Sequence, residues 1–272
     1  MDHQGNMEGL PFVTATVTER NQRRSNEDFC DFLWADGIGC WVMADGLGGH
    51  QGGEVASQLA VESIITTFAG QPEVSAEAAT RYLEAAQQAL LHRQKEEPQL
   101  SGMRTTIVLL LADLEAALWG HAGDSRLYHF RGGRIINQTR DHSVSQALVN
   151  SGEIKLEEVR GHEDRHRLLR ALGQEDDFRP TIIKSKQPLE KGDAFLLCTD
   201  GFWELVLETE METDLDSVNN PKEWLEKMRN RISERTLITK DKQYDNFTAL
   251  AVIAANRMLK NSLFENRKKC CL

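Results

Sequence analysis

Two segments of this sequence run an apolar, strand-like stretch straight into an Asp-Gly pair: Cys40-Trp-Val-Met-Ala-Asp45-Gly46 and Phe195-Leu-Leu-Cys-Thr-Asp200-Gly201. Either one alone reads as a strand ending in an ordinary Asp-Gly turn. The two together would deliver two carboxylates to the rim of a sheet, each beside a glycine whose carbonyl stays open to a ligand. Other acidic residues fall at comparable places. Asp245-Asn246 immediately precedes the apolar run 247–254, and Asn26-Glu27-Asp28 lies between the first two strand-like runs. Asp124 falls in Gly123-Asp124-Ser125-Arg126, a tight turn between strands. Oxygen ligands of this kind suit hard cations such as Mg²⁺ or Mn²⁺, with water completing the octahedra, whereas zinc favours His and Cys. Carboxylates crowded without a cation repel one another and raise their pKa values, a cost that cation binding relieves.

These positions need a scaffold, and the pattern predicts one. β-Branched and apolar runs predict strands over 12–18, 38–44, 105–112, 116–121, 127–130, 179–186, 194–199 and 247–254. Arg131-Gly-Gly-Arg134 has the two-residue Gly-Gly loop of a hairpin with a primed turn. Helical periodicity marks 53–68, with Val55, Leu59, Ile64 and Phe68 near one stripe, and strong helix formers mark 76–94. Shorter helices are expected over 143–151, around Phe202 and over 221–233. The charged stretch 153–167 reads as irregular and 214–220 as a surface loop. Hairpin-linked strands and paired helices, without βαβα alternation, favour an α+β fold with antiparallel sheets. The expected organisation is a flexible leader over 1–12, one catalytic domain over 13–255 and a basic tail over 256–272.

Composition narrows the partners. The chain of 272 residues is long enough for a large core, with 40% hydrophobic and 27% charged residues. A net charge of −10 repels nucleic acid and anionic membranes, yet it allows a phosphate substrate if cations neutralise the site. The five cysteines, Cys30, Cys40, Cys198, Cys270 and Cys271, lack the spacing of a disulfide scaffold or a zinc site. The sequence shows no signal-peptide core and no apolar run long enough to span a membrane, so a cytoplasmic location is expected, and separately a monomer.

Taken in order, the motifs Arg23-Arg-Ser-Asn-Glu27-Asp28, Asp45-Gly-Leu-Gly-Gly-His50-Gln-Gly-Gly-Glu54, Gly123-Asp-Ser-Arg126, Thr139-Arg-Asp-His142, Arg170-Ala-Leu-Gly173, Thr199-Asp-Gly201 and Asp245-Asn-Phe-Thr248 are highly specific. The chain resembles the type 2C metal-dependent serine/threonine protein phosphatases, the bacterial members above all, from about residue 14 to 254. The resemblance implies an αββα arrangement, an antiparallel β-sandwich flanked by helix pairs. It also implies hydrolysis of phosphoserine and phosphothreonine in proteins by a hydroxide bridging two Mn²⁺ or Mg²⁺ ions. Asp45 would bridge both metals with the Gly46 carbonyl beside it; Asp200 and Asp245 would hold the first metal and Glu27 the second. Asp28 would orient metal-bound water, and Asp124 would serve a third ion. Arg23 would grip the substrate phosphate in a guanidinium fork, and His50 would protonate the leaving alkoxide. The partners implied are phosphorylated substrates of a serine/threonine kinase, and the alternative is a weakly catalytic phosphoprotein-binding regulator.

The sequence departs from the family pattern in three places. Glu204 stands where a second Asp for the third metal is usual, Arg104 replaces a small residue before Thr105-Thr106, and His162-Glu163-Asp164 replaces His-Pro. The last lies in a flap-like stretch, 140–173, expected to tune substrate choice. The other seven of the eight histidines are expected to be structural or exposed. Rival phosphatase chemistries fail on spacing. Cys198 is followed at the required distance by Glu204 rather than Arg, Asp214-Leu-Asp216 lacks an apolar approach, and there is no Gly-x-x-x-x-Gly-Lys loop. The Cys270-Cys271 pair offers a site for lipid modification, against the plainer reading of two exposed thiols on a frayed helix.

Overall fold

The computed structural model describes residues 12–48, 52–175, 178–238 and 244–255. Strands β1 (Phe12–Glu19), β2 (Asp28–Ala35) and β3 (Ile38–Leu47) lead into helices α1 (Gly52–Gly70) and α2 (Ala76–Glu96). Then come β4 (Arg104–Thr105), β5 (Ile107–Ala112), β6 (Ala116–Ala122), β7 (Arg126–Arg131) and β8 (Arg134–Gln138). Helix α3 (Val144–Ser151) is followed by two-residue strands β9 (Thr181–Ile182) and β10 (Gln187–Pro188). The chain closes with β11 (Ala194–Cys198), α4 (Asp200–Trp203), α5 (Glu208–Asp216), α6 (Pro221–Ile238) and β12 (Phe247–Ala254).

One antiparallel sheet has the order β1-β12-β11-β7-β8, and the other has the order β10-β6-β5-β3-β2 with β4 and β9 attached to β3 and β6. Three apolar layers hold them. Along β3, Cys40, Val42 and Ala44 join Ile107, Leu109 and Leu111 of β5 beneath α1 and α2. The alternate residues, Trp41 and Met43 with Val108 and Leu110, pack between the sheets against Phe195, Leu197, Leu250 and Val252. On the far side, Leu196, Cys198, Ala249 and Ala251 meet Trp203, Met211, Trp224 and Met228 of the second helical layer. Central strands are therefore buried on both faces, which is why antiparallel strands here read as unbroken apolar runs rather than alternating ones. This is the expected four-layer α+β sandwich.

Several local expectations hold in detail. The Gly-Gly hairpin joins β7 to β8 with φ of 55° at Gly132 and 75° at Gly133, positive values that suit a primed turn. Ser143 caps α3 by accepting from Gln146 N–H. Others are corrected. The 179–186 stretch contributes only the two-residue β9, because it lies along the outer flank of β6 rather than in the sheet interior. The inner stripe of α1 runs through Ala56, Ala60, Val61, Ile64 and Phe68, with Val55 and Leu59 at its edge, since small alanines let the helix lie close on β3. The expected 214–220 loop begins inside α5. Asp214 there is buried and receives two hydrogen bonds from Arg231, at 2.7 and 2.8 Å, which satisfies a charge that sequence alone assigns to solvent. Among the described residues no helix is long and apolar enough to cross a membrane.

Asp193 anchors the turn before β11. Burial would raise its pKa, but two bonds from Arg131, at 2.9 and 2.7 Å, and His129 at 3.2 Å outweigh that and hold it below the usual carboxylate value. A depressed folded-state pKa stabilises above the unfolded value, near pH 4, and that contribution fades as the pH falls through the folded value. Asp193→Asn should therefore cost about 2 kcal/mol at neutral pH and flatten the acid limb of the stability curve below about pH 4, measured by urea titration across pH.

Candidate active site

The carboxylates meet where the ends of the two sheets come together. β3 does not stop at Asp45-Gly46; it runs on to Leu47, with Gly46 and Leu47 paired to Thr105 and Arg104 of β4. Asp45 is fixed through its backbone. Its N–H donates to Thr106 Oγ1 at 2.9 Å, and its carbonyl accepts from Thr106 N at 2.9 Å and Thr105 Oγ1 at 2.8 Å. Asp28 is its direct cross-strand partner on β2. The second Asp-Gly step opens α4, so Asp200 emerges from the end of β11 at a helix start. Thr199 donates its hydroxyl to Asp28 Oδ2 at 2.9 Å and accepts Thr248 N–H at 3.0 Å. That chain of bonds ties β2 of one sheet to β11 and β12 of the other.

Both glycines are required by close approach rather than by unusual torsion. A Cβ on Gly46 would sit 2.0 Å from Gly53 O, and one on Gly201 would sit 2.1 Å from Asn246 O. Gly123 does need its positive φ of 108°, and a Cβ there would strike Thr106. The turn it makes aims Asp124 at the same rim, where Trp203 Nε1 holds the Asp124 carbonyl at 2.9 Å.

A cleft of about 590 Å³ opens at this rim, lined by Arg23, Glu27, Asp45, Gly46, Asp124, Asp200, Glu204 and Asp245 among others. The fold thus brings together every candidate except two. His50 lies outside the described residues. Asp28 sits just behind the lining, buried against Thr199. Arg23 pairs with Asp245 across the mouth, its guanidinium half-exposed. Arg104 is exposed on β4 and adds surface charge without crowding the sheet.

The electrostatics are those of like charges forced together. Burial first, then Asp28, Asp200, Asp124 and Asp245, pushes the Asp45 pKa well above the ordinary range. Asp124 is raised for the same reasons, by burial, Asp200 and Asp141. Burial lifts Asp28 to about 7 even though bonds from Thr248, Thr199 and Asn246 pull it down. Asp245 and Glu27 are also raised by burial, with Arg23 opposing. Asp28 Oδ1 and Asp200 Oδ1 are buried without a hydrogen-bond partner. Acceptor oxygens left unpaired beside acids that resist ionisation fit a donor set that divalent cations complete.

The structure also gives roles to residues that the motifs contain but sequence reasoning left unassigned. Arg126 and Asp141, from separate motifs, form a two-bond buried pair at 2.8 Å and 2.8 Å, with the guanidinium 3.5 Å from the Trp203 ring centroid. His142 Nδ1 accepts Gly123 N–H at 3.3 Å, so that motif braces the Asp124 turn. His166, expected to be structural or exposed, lines the cleft and bonds Asp200 Oδ2 at 3.2 Å, which raises its own pKa. Its surroundings, Arg165-His166-Arg167 in a charged irregular stretch, carry no periodic signal that would single it out.

A two-sheet sandwich that gathers carboxylates at one cleft is an arrangement suited to metal-dependent hydrolysis. The chain belongs to the protein phosphatase 2C family, whose description matches residues 18–243. It is 32% identical over 222 residues to the serine/threonine phosphatase stp of Listeria welshimeri, covering 78% of this chain and 82% of that protein. The crystal structure of the Mycobacterium tuberculosis serine/threonine phosphatase PstP/Ppp superposes with a TM-score of 0.76 at 28% identity, over 90% of this chain and 99% of that one. A catalytic domain of PstP solved with two manganese ions gives a TM-score of 0.74 at 27% identity, again over 90% and 99%.

Removing a charge from the crowd should relieve the metal-free protein. Asp45→Asn is expected to raise its melting temperature in EDTA, by the equivalent of about 1 kcal/mol, while abolishing any rise on adding Mn²⁺. Asp141→Ala removes both of its bonds to buried Arg126, leaving the guanidinium only Tyr128 and a 3.5 Å contact to Glu208, and should cost about 3 kcal/mol in denaturant titrations.

Proposed function

We propose that this chain hydrolyses phosphoserine and phosphothreonine in proteins, opposing a serine/threonine kinase, and that it works as a cytoplasmic monomer. The observation that carries the reading is the convergence of Glu27, Asp45, Asp124, Asp200 and Asp245 on one cleft with Arg23 at its mouth. In this reading Asp45, the Gly46 carbonyl, Asp200, Asp245 and Glu27 hold two Mn²⁺ or Mg²⁺ ions, and Asp124 serves a third. Such ions, when bound, supply an activated water nucleophile and neutralise charge gathering on the phosphoryl oxygens.

The protein's own groups do the positioning. With Asp245 among the groups that would hold a cation, the Arg23 guanidinium it now pairs with would be available to hold two phosphoryl oxygens in its fork at the mouth of the cleft. Asp28, held on one side by Thr199, keeps its second oxygen free to orient water at the rim. The leaving serine or threonine oxygen is a strong base and needs a proton; the resemblance assigns that donation to His50. No observation favours the non-catalytic, phosphoprotein-binding alternative, since each of the core acids is present and converges.

The test is hydrolysis of p-nitrophenyl phosphate and of a phosphothreonine peptide. Turnover should require Mn²⁺ or Mg²⁺, vanish in EDTA, and fall by roughly 10²–10³-fold or more in Asp45→Ala. Full activity in excess EDTA would sink the proposal.

A further inference from the structure

Arg104 stands on a lip of the cleft that the metal-centre carboxylates do not reach. It belongs to β4, which lies between two other stretches of chain. On one side Arg104 is paired with Leu47 of β3. On the other side Thr105 and Leu172 exchange backbone bonds at 3.2 and 2.8 Å, which sets Arg104 beside Gly173. The approach is close, since a Cβ on Gly173 would lie 3.3 Å from Arg104 Cα. Successive residues of a strand face opposite ways. Thr105 is buried and turns its hydroxyl to the Asp45 carbonyl, so Arg104 turns the other way, into solvent.

The surroundings leave its charge unanswered. Leu47 lines the cleft with Gly46 and Gly48, and none of the three is charged. Gly173 adds no side chain on the opposite flank. The scaffold arginines Arg126, Arg131 and Arg231 each bind a carboxylate at 2.7–2.8 Å, whereas the Arg104 guanidinium has no such partner among the described residues. With 42 acidic against 32 basic residues in the chain, an arginine beside the cleft without an acid partner is available to a ligand. Its place along the cleft follows from the register. Leu47 lies two residues beyond Asp45, about 7 Å along β3. Arg104 stands across from Leu47, and an extended peptide covers that interval in about two residues.

We propose that Arg104 is a specificity-determining residue that binds a second anionic group on the substrate, two or three residues from the phosphorylated serine or threonine. This role rests on the phosphatase reading of the cleft. A guanidinium fork matches a carboxylate and a phosphate alike, so the favoured substrates are acidic or multiply phosphorylated segments. Cations in the cleft would answer the phosphoryl group that is removed, but a further anion on the same segment meets a chain of net charge −10. Arg104 supplies the positive charge that such an anion needs. The small residue usual at this position in the family pattern has no such group, so the preference arises from this departure.

Phosphothreonine peptides that differ only two and three residues from the phosphothreonine, carrying Ala, Lys, Glu or a second phosphoserine there, test this on the Mn²⁺-loaded full chain. The wild type is expected to favour the Glu peptide over the Ala peptide by about 3–10-fold in kcat/KM, chiefly through KM, and to disfavour the Lys peptide. Added salt should shrink the preference. Arg104→Ala should bring the ratio close to one, and Arg104→Lys should keep part of it. Each ratio is taken within one enzyme, so a change in folding or metal loading cancels from it. A gain with both Glu and phosphoserine supports recognition of either anion, and a gain with phosphoserine alone narrows the ligand to phosphate. Absence of preference for both anionic peptides, or a preference that survives intact in Arg104→Ala, overturns the proposal. Peptides with a non-hydrolysable phosphonate in place of the phosphothreonine phosphate make the same comparison by fluorescence anisotropy without turnover. Hydrolysis of p-nitrophenyl phosphate, which has no second anion, decides the phosphatase reading on its own, so the two can fail separately.

Discussion

Asp45, Asp124, Asp200 and Asp245 come from four separated stretches of chain and meet at a half-buried rim, where burial and neighbouring carboxylates raise the pKa values of Asp45, Asp124 and Asp245. A carboxylate crowd cannot hold itself together, so its backbone positions are set by groups that carry no charge. Thr105 and Thr106 clamp Asp45, Thr199 and Thr248 lock the strand ends together, and Trp203 holds the Asp124 carbonyl. Hydroxyls and indole N–H groups fix geometry without adding to the field, which leaves the carboxylates free to answer to a cation.

The charged groups that do appear nearby are paired away from the rim. Arg126 sits directly behind it, yet its Nε and one terminal nitrogen serve Asp141, the other terminal nitrogen serves Tyr128 and Glu208, and its face serves Trp203. Arg160 behaves similarly, bonding Glu208 at 2.9 and 2.8 Å. Positive charge is thus present in the scaffold but spent on structure, so it does not neutralise the acids. Among the described residues, Arg23 at the solvent edge pairs with Asp245 and His166 with Asp200, and an exposed pair such as Arg23–Asp245 exchanges readily for a better partner.

The wall formed by α4 and the 162–170 stretch differs in character. Here imidazole, guanidinium and carboxylate meet, and the contacts are between a helix and an irregular segment rather than between strands. Irregular backbone has fewer internal constraints than a sheet, so the side chains that hold it to the helix also set the shape of the cleft.

The sequence by itself determined the class of fold and the acids. Strand runs that end in Asp-Gly, the Gly-Gly hairpin and the helical stretches at 53–68 and 76–94 follow from local sterics and periodicity, which short windows encode fully. The ordered motifs carry the family resemblance, because spacing survives in one dimension. Tertiary structure decided what depends on meetings between distant segments. That Gly46 and Gly201 are demanded by the backbones of Gly53 and Asn246, that Arg126 answers Asp141, and that Asp214 is buried against Arg231 are facts about packing, invisible to any window. The 179–186 stretch looked like a strand because its residues favour extension, but only position relative to β6 determines how much of it pairs. His166 is the sharpest case. Nothing in its neighbours marks it, and it becomes a member of the site because an irregular segment is folded against α4, where Asp200 and Glu204 already stand.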